Sequence, residues 1–182
     1  MKDKSIIPSK SYLELFGQMG ITFSFLEHTF RGFVSELIDE EDVKKAYIII
    51  NKHMIQSLIN LANELIEHKT KNKRILIKYK ELIIDFKKVI KQRNNIIHSL
   101  HIDYGTPNEY ELFACDTNKQ LYGEQFKINS NKIDRLIQDI SSVISKLIMF
   151  KAILAKAKIL KWKNLFTNIK KIRLQQKRYK LK

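Results

Sequence analysis

The chain has 182 residues, 44% of them hydrophobic, and its 34 lysines and arginines against 19 aspartates and glutamates give a net charge of +15. This length and hydrophobic content are sufficient for one ordinary core. With 5 glycines and 2 prolines the composition argues against a turn-rich β-sandwich or barrel, and the single Cys115 excludes an internal disulfide or a cysteine-based zinc framework.

The charge is unevenly distributed along the chain. Asp139 is the last acidic residue, and 13 of the 34 lysines and arginines follow it, so the 21 that precede it nearly balance the 19 acidic residues. A polyanionic partner such as RNA is therefore expected at the C-terminal third. No stretch of signal-peptide character opens the chain, and no segment approaches the ~20 apolar residues of a membrane span. We expect a cytoplasmic protein without a membrane span.

Two helices are predicted in the first part of the chain. From Ser11 to Leu37 apolar residues recur at intervals of three and four, the spacing of a helix with one buried face that continues across three glycines. The stripe residues are Phe16, Met19, Phe23, Leu26, Phe30, Phe33 and Leu37. The acidic run 39–42 then predicts a new helix N-terminus, because carboxylates there interact favourably with the helix dipole and free amides. The second predicted helix continues to about His68, and its predicted buried stripe is Val43, Tyr47, Ile50, Met54, Leu58, Leu61 and Leu65.

A short polar connection, 68–74, leads to a third predicted helix from about Ile75 to His101. Gly105 and Pro107 mark a break after it. The segments 110–115 and 121–128 are then compatible with a small hairpin or with an irregular loop.

Asn129 to Asn131 supply N-cap residues for a fourth long helix, whose apolar stripe runs to Leu154. The sequence therefore predicts an all-α fold, an antiparallel bundle of four to five helices formed by residues 1–155. It carries a hairpin or loop insertion at about 103–129 and a basic C-terminal helical extension at 156–182.

The chemically most distinctive residues lie late in the third predicted helix. Advancing 100° per residue places Arg93 near the middle of the apolar stripe, where a permanently charged guanidinium needs a compensating partner. Asn94 follows it directly, and His98 completes the pattern Arg-Asn-x-x-x-His. Asp85 and Glu81 lie earlier on the same predicted helix, but we predict no metal and no cofactor.

This pattern resembles the motif of the HEPN (higher eukaryotes and prokaryotes nucleotide-binding) superfamily, helical bundles that include many metal-independent ribonucleases. That motif is an Arg, often followed by Asn, and a His four to six residues further on; Arg93, Asn94 and His98 match its short form. The match does not extend to the Tyr that often lies two residues after the His, because Leu100 occupies that position. The resemblance implies an endoribonuclease, plausibly a toxin or antiphage-defence effector with an antitoxin or sensor partner.

Helix geometry indicates how such residues would act together. On an ideal helix Arg93 and His98 are about 140° apart, whereas Asn94 and His98 face the same side. Two copies related by a two-fold axis could share one site, so a homodimer is expected. The chemistry suited to that site is attack of an RNA 2′-hydroxyl on the adjacent phosphate, with His98 moving protons, Arg93 stabilising phosphorane charge and Asn94 orienting His98 or the phosphate.

Other interpretations of these residues remain open at this point. Arg93, Asn94 and His98 could be a helix-terminal polar cluster in which Arg93 pairs with a carboxylate of a neighbouring helix. The chain could also be a non-catalytic HEPN-like module that binds RNA, a nucleotide or a protein partner, or a purely structural bundle that docks on a larger assembly.

The extension 156–182 carries 11 basic and no acidic residues with apolar residues at loosely helical intervals. It could bind the RNA backbone, lie on a membrane surface or be a solvated helix. RNA is the preferred partner, because positive grooves with aromatic stacking bind single strands. The residues predicted to contact RNA are Lys156, Lys158, Lys161, Trp162, Lys163, Lys170, Lys171 and Arg173.

Overall fold

The structure, a computed structural model, describes residues 10–39, 41–97, 99–103, 109–115 and 122–160. Within these ranges the chain forms five helices, with a three-stranded sheet inserted between the fourth and fifth. The elements are α1 (Lys10–Ile38), α2 (Val43–Ile50), α3 (Ile55–Lys69), α4 (Lys73–Ile97), β1 (Ser99–Asp103), β2 (Glu109–Cys115), β3 (Tyr122–Asn129) and α5 (Ser130–Lys156).

The chain divides into two compact units. Unit 1 combines residues 1–28 with 81–145, and unit 2 combines 29–80 with 146–182. Helices α1 and α5 therefore pass from unit 1 into unit 2, whereas α4 passes from unit 2 into unit 1 and runs in the opposite direction. The predicted helical bundle is confirmed, and none of the described helices has the length and apolar character needed to cross a bilayer.

Helix α1 forms because its apolar residues repeat at helical spacing on one face. The predicted stripe residues Met19, Phe23 and Leu26 are buried in unit 1, and Phe30, Phe33 and Leu37 are buried in unit 2. Full burial of each such side chain contributes roughly 1.5–3 kcal/mol relative to exposure. The helix continues without a break across its three glycines, as the spacing of its apolar residues predicted.

The acidic turn between α1 and α2 has the capping role predicted for it. The Asp42 carboxylate accepts a hydrogen bond from the Lys45 amide at 3.0 Å and is the N-cap of α2. Asp39 accepts from the amides of Asp42 at 3.0 Å and Glu41 at 2.8 Å. These two backbone hydrogen bonds lower the pKa of Asp39, because they stabilise its charged form.

The second predicted helix is wrong as a continuous element, because the structure divides it into α2 and α3. The Arg31 guanidinium donates to the carbonyls of Ile50 at 3.1 Å and Asn51 at 3.2 Å, which satisfies backbone acceptors at the end of α2. Met54, predicted on the buried stripe, is 79% exposed. It has extended backbone, with ψ 150°, at the start of α3.

After the break, α3 buries a different face from the one predicted. Leu58 is buried as expected, but Leu61 and Leu65 are only half-buried, and Ala62 and Ile66 lie in the core. The predicted short connection to the next helix is confirmed, since α3 ends at Lys69 and α4 begins at Lys73.

The insertion is a three-stranded antiparallel sheet with the order β1-β2-β3. The hairpin alternative is confirmed by β2 and β3, where Tyr110 lies opposite Ile128. The end of the third predicted helix is wrong, because Ser99 to Asp103 form β1, with Leu100 opposite Phe113. Residues 99–103 alternate polar and apolar side chains, so they suit a strand once β2 supplies the hydrogen-bonding partner.

Helix α5 begins and ends with distinct capping arrangements. Asn129 accepts from the Lys132 amide at 3.0 Å, as predicted for this N-cap, and the stripe from Ile133 to Leu154 is buried. The helix ends at Lys156, where Ile159 N–H donates to Leu154 O at 2.9 Å and Lys158 adopts a φ of 58°. This is a Schellman termination of α5. The predicted helical extension lies outside the described residues beyond Leu160.

Unit 2 contains a buried ion pair between α1 and α5. The Lys151 Nζ lies 2.7 Å from Glu36 Oε1, and the two side chains are only 9% and 10% exposed. One residue before Lys151, the Phe150 ring meets Phe33 edge-on at a centroid distance of 6.1 Å. It also packs against the Tyr79 ring at 5.6 Å. Because so little of either side chain is exposed, a charge left there without its partner would be poorly solvated.

Tyr79 carries a buried hydroxyl without a hydrogen-bond partner in the described part of the chain. Burial, and secondarily the charge of Glu67, raises the pKa of Tyr79 well above its usual value, because both disfavour the phenolate. The unfolded chain therefore releases this proton at lower pH than the folded chain does. The free energy of unfolding should fall as pH rises above about 10.

We expect Tyr79→Phe to keep or raise the free energy of unfolding near pH 7 by up to about 1 kcal/mol, because it removes an unsatisfied polar group without changing the ring. It should also reduce the loss of stability above pH 10. Urea unfolding of both proteins at pH 7 and pH 10.5 measures the two effects. A variant less stable by more than about 1 kcal/mol at pH 7 would show that the hydroxyl has a partner.

Candidate functional site

The candidate site lies on the late part of α4, in unit 1. Leu82, Ile83, Phe86 and Val89 are buried and define the apolar face of this part of the helix. Arg93 continues the same face at i+4 from Val89 and is half-buried. The predicted placement of a charged residue on the apolar stripe is therefore confirmed.

The compensating group for Arg93 is an aromatic ring of α1. The Arg93 guanidinium carbon lies 4.8 Å from the centroid of the Phe23 ring, and Phe23 itself is only 2% exposed. A cation over an aromatic face is stabilised by about 0.5–2 kcal/mol, more when water is excluded. The planar guanidinium suits this contact better than an ammonium would.

Asn94 holds one edge of the same guanidinium. The Arg93 Nη1 donates to Asn94 Oδ1 at 3.1 Å, so the two motif residues are bonded to each other. The Arg93 Nε is buried and finds no hydrogen-bond acceptor in the described residues. A guanidinium has five N–H donors. Much of its donor capacity is therefore unused here, although the group is fixed in position.

In the helix-terminal cluster interpretation, Arg93 could pair with a carboxylate of a neighbouring helix. Among the described residues Arg93 forms no ion pair with an aspartate or glutamate. Its described contacts are the Phe23 ring and the Asn94 side-chain oxygen, neither of which carries a negative charge, so the guanidinium can still attract an anion. A cation held in this way suits a phosphate site, because no resident carboxylate has to be displaced.

His98 lies outside the described residues, between the end of α4 at Ile97 and the start of β1 at Ser99. The third predicted helix was expected to continue to His101, and the angle between Arg93 and His98 was calculated on that helix. Because α4 ends earlier, an ideal-helix angle no longer describes this pair. The composite dimer site remains a prediction.

The predicted RNA contacts of the basic extension fall mostly outside the described residues. Lys156 and Lys158 are exposed at the end of α5. The others lie beyond residue 160 and are Lys161, Trp162, Lys163, Lys170, Lys171 and Arg173. Arg93 and Asn94 lie in unit 1, whereas Lys156 and Lys158 lie in unit 2.

Sequence reasoning missed a groove in unit 1 between the last turns of α4 and the first turns of α5. Its volume is about 380 Å³, and two buried side chains, Ile96 and Leu136, belong to its lining. The remaining lining residues are polar or charged and are Gln92, Asn95, Lys132, Arg135 and Asp139. The polar residues Gln92 and Asn95, on either side of Arg93 and Asn94, were the only signal of this groove in the sequence. The groove could not be predicted from them, because only the fold brings α5 beside them.

No group of three histidine, cysteine, aspartate or glutamate side chains in the described ranges is arranged to hold a metal ion. Asp85 and Glu81 therefore do not belong to such a cluster there. No protein-family model matches the chain, and neither curated proteins nor solved structures give a significant match. The resemblance to the HEPN superfamily consequently rests on Arg93, Asn94 and His98 within a helical bundle.

Proposed function

We propose that this chain is a metal-independent endoribonuclease of the HEPN kind, with Arg93, Asn94 and His98 in its active site. The observation that supports it most is the half-buried guanidinium of Arg93. It is held on the Phe23 ring and bonded to Asn94, without a carboxylate among the described residues. A charge placed on an apolar helix face is costly to the fold. Phosphate recognition gives a reason for its presence.

The proposed reaction is an internal transesterification of RNA. The 2′-hydroxyl loses its proton to a base and attacks the adjacent phosphorus, and the bond from phosphorus to the 5′-oxygen breaks as that oxygen gains a proton. The products are a 2′,3′-cyclic phosphate and a 5′-hydroxyl. His98 transfers these protons, since an imidazole is usable as base and acid near neutral pH. Arg93 stabilises the charge that develops on the phosphorane oxygens.

The proposal includes a homodimer in which each copy contributes to a shared site. A cytoplasmic toxin or antiphage-defence effector, restrained by an antitoxin or sensor protein, is the corresponding biological role. The net charge of +15 favours RNA as substrate, because lysines and arginines that neutralise phosphates supply much of the affinity for nucleic acid. The basic extension would add contacts to the RNA backbone.

Cleavage of a labelled RNA in the presence of EDTA tests the proposal. We expect the wild-type protein to cut it, and Arg93→Ala and His98→Ala to lose activity by about two to three orders of magnitude. Matched controls are Arg74→Ala and His68→Ala, which remove the same side-chain types from exposed positions. Equal activity in all five proteins would contradict the active-site assignment, and ends without cyclic phosphate would contradict the 2′-hydroxyl route.

The alternative is a non-catalytic HEPN-like module that binds RNA, a nucleotide or a protein. The Arg93 contact with Phe23 is compatible with this alternative, because it holds α1 and α4 together within unit 1 and so has a structural role without catalysis. This module would bind RNA or another partner and would not turn it over. The EDTA assay separates the two functions when a binding measurement is made on the same samples.

A further inference from the structure

The groove beside the motif combines an apolar floor with polar walls. Ile96 of α4 and Leu136 of α5 are buried and line it. Its volume of about 380 Å³ is within the range of small-ligand sites. A flat aromatic group with polar edges, such as a nucleobase, fits this combination of an apolar floor and hydrogen-bonding walls.

The charged residues at the groove favour an anion over a cation. Lys132 and Arg135 of α5 line it together with one carboxylate, Asp139. On α4, the exposed Lys88 and Lys91 lie one turn before Gln92 and Asn95. Arg135 is exposed and makes no ion pair or hydrogen bond within the described part of the chain. Its guanidinium is therefore able to bind phosphate oxygens with two N–H groups.

The groove lies next to the proposed catalytic residues along α4. Gln92 lines it directly before Arg93, and Asn95 and Ile96 line it directly after Asn94. A nucleotide in the groove would therefore be a neighbour, along an RNA strand, of a phosphodiester held at Arg93. A single strand allows this arrangement, because its bases can be unstacked and turned outward.

We propose that this groove binds one nucleotide of single-stranded RNA adjacent to the cleaved phosphodiester, with Arg135 on the phosphate and Gln92 and Asp139 on the base. The inference rests on the proposed function only for the position of cleavage. Asp139 accepts hydrogen bonds when ionised, and the Gln92 amide both donates and accepts. These groups favour adenine, cytosine or guanine, whose exocyclic amines donate, over uracil, which has no exocyclic amine.

Binding of uncleavable RNA tests this proposal without requiring catalysis. The probes are fluorescent 2′-O-methyl oligonucleotides of roughly ten nucleotides, long enough to cover a single-strand site. We expect Arg135→Ala to weaken binding about tenfold and to lower the dependence of log affinity on log salt by about one. Asp139→Asn should bind oligo-adenine and oligo-uracil with more similar affinities than the wild type does.

The matched control is Arg74→Ala, which removes an exposed arginine from the first turn of α4, in unit 2, whereas the groove lies in unit 1. Its affinity should stay within about twofold of the wild type. Equal weakening by Arg135→Ala and Arg74→Ala, or no binding of any probe, would overturn the groove as an RNA site. Groove-dependent binding with no cleavage of natural RNA would instead refute the ribonuclease and leave the groove assignment intact.

Discussion

Lys151→Met is expected to lower the free energy of unfolding by about 3–5 kcal/mol, because it leaves the Glu36 carboxylate buried without its partner. The pair is 2.7 Å apart and nearly inaccessible to solvent. Only 9% of the Lys151 side chain and 10% of the Glu36 side chain are exposed, so water would solvate an unpaired carboxylate poorly. Urea unfolding followed by circular dichroism measures this loss.

The double variant Glu36→Leu with Lys151→Met shows whether the single variant loses stability because the ion pair is lost or because Glu36 is left buried and charged without a partner. Replacing both members of a buried pair by apolar groups is often neutral or stabilising. The double variant should therefore recover most of the stability that the single variant loses. Lys156→Met, at an exposed position of the same helix, should change stability by no more than about 0.5 kcal/mol. A Lys151→Met protein as stable as this control would show that water reaches Glu36.

Arg93→Lys is expected to reduce RNA cleavage about 10²- to 10³-fold, although the substitution keeps the positive charge. Lysine lacks the planar fork that binds two phosphate oxygens and stacks on an aromatic ring. The 4.8 Å contact with Phe23 and the hydrogen bond to Asn94 both depend on that planar group. Single-turnover cleavage rates, with melting temperatures recorded for each protein, separate an active-site effect from unfolding.

Phe23→Leu tests whether the ring positions Arg93. It keeps an apolar side chain in the core but removes the aromatic face, and we expect a smaller loss of rate, of about tenfold, corresponding to about 1.4 kcal/mol. Phe25→Leu is the matched control on the same helix, because Phe25 is 41% exposed. Wild-type rates for both Arg93→Lys and Phe23→Leu would eliminate the guanidinium geometry as a catalytic requirement.

The long helices were predictable because one periodic signal determines each of them. In α1 and α5 the stripe residues follow the 3.6-residue period over many turns, and all of them except the half-buried Phe16 are buried. The caps at Asp42 and Asn129 were equally predictable, since each depends on a side chain within three residues of the amide it binds. Interactions between residues close in the sequence can therefore be predicted from the sequence alone.

The elements that were wrongly predicted depend on contacts between residues that are distant in the sequence. The α2–α3 break involves Arg31, which lies on another helix and binds the carbonyls of Ile50 and Asn51. Residues 99–103 form a strand because β2 pairs with them, and their short apolar pattern is ambiguous until that partner is known.

The same distinction applies to the candidate site. Periodicity alone placed Arg93 on a buried face and required a compensating group, and the structure places it half-buried on that face. Phe23 could not be identified as that group, because any aromatic residue of the bundle was equally eligible before α1 was placed beside α4. The groove is likewise formed by residues of two helices separated by the sheet insertion.

The division of three helices between the two units has a consequence for cooperativity. Neither unit is built from a continuous chain segment, because α1, α4 and α5 each contribute one part to unit 1 and the other part to unit 2. Opening one unit alone would create new ends in the middle of all three helices, each with unsatisfied amides and carbonyls. Loss of order in either unit should therefore spread to the other, and the folded state should behave as a single thermodynamic entity.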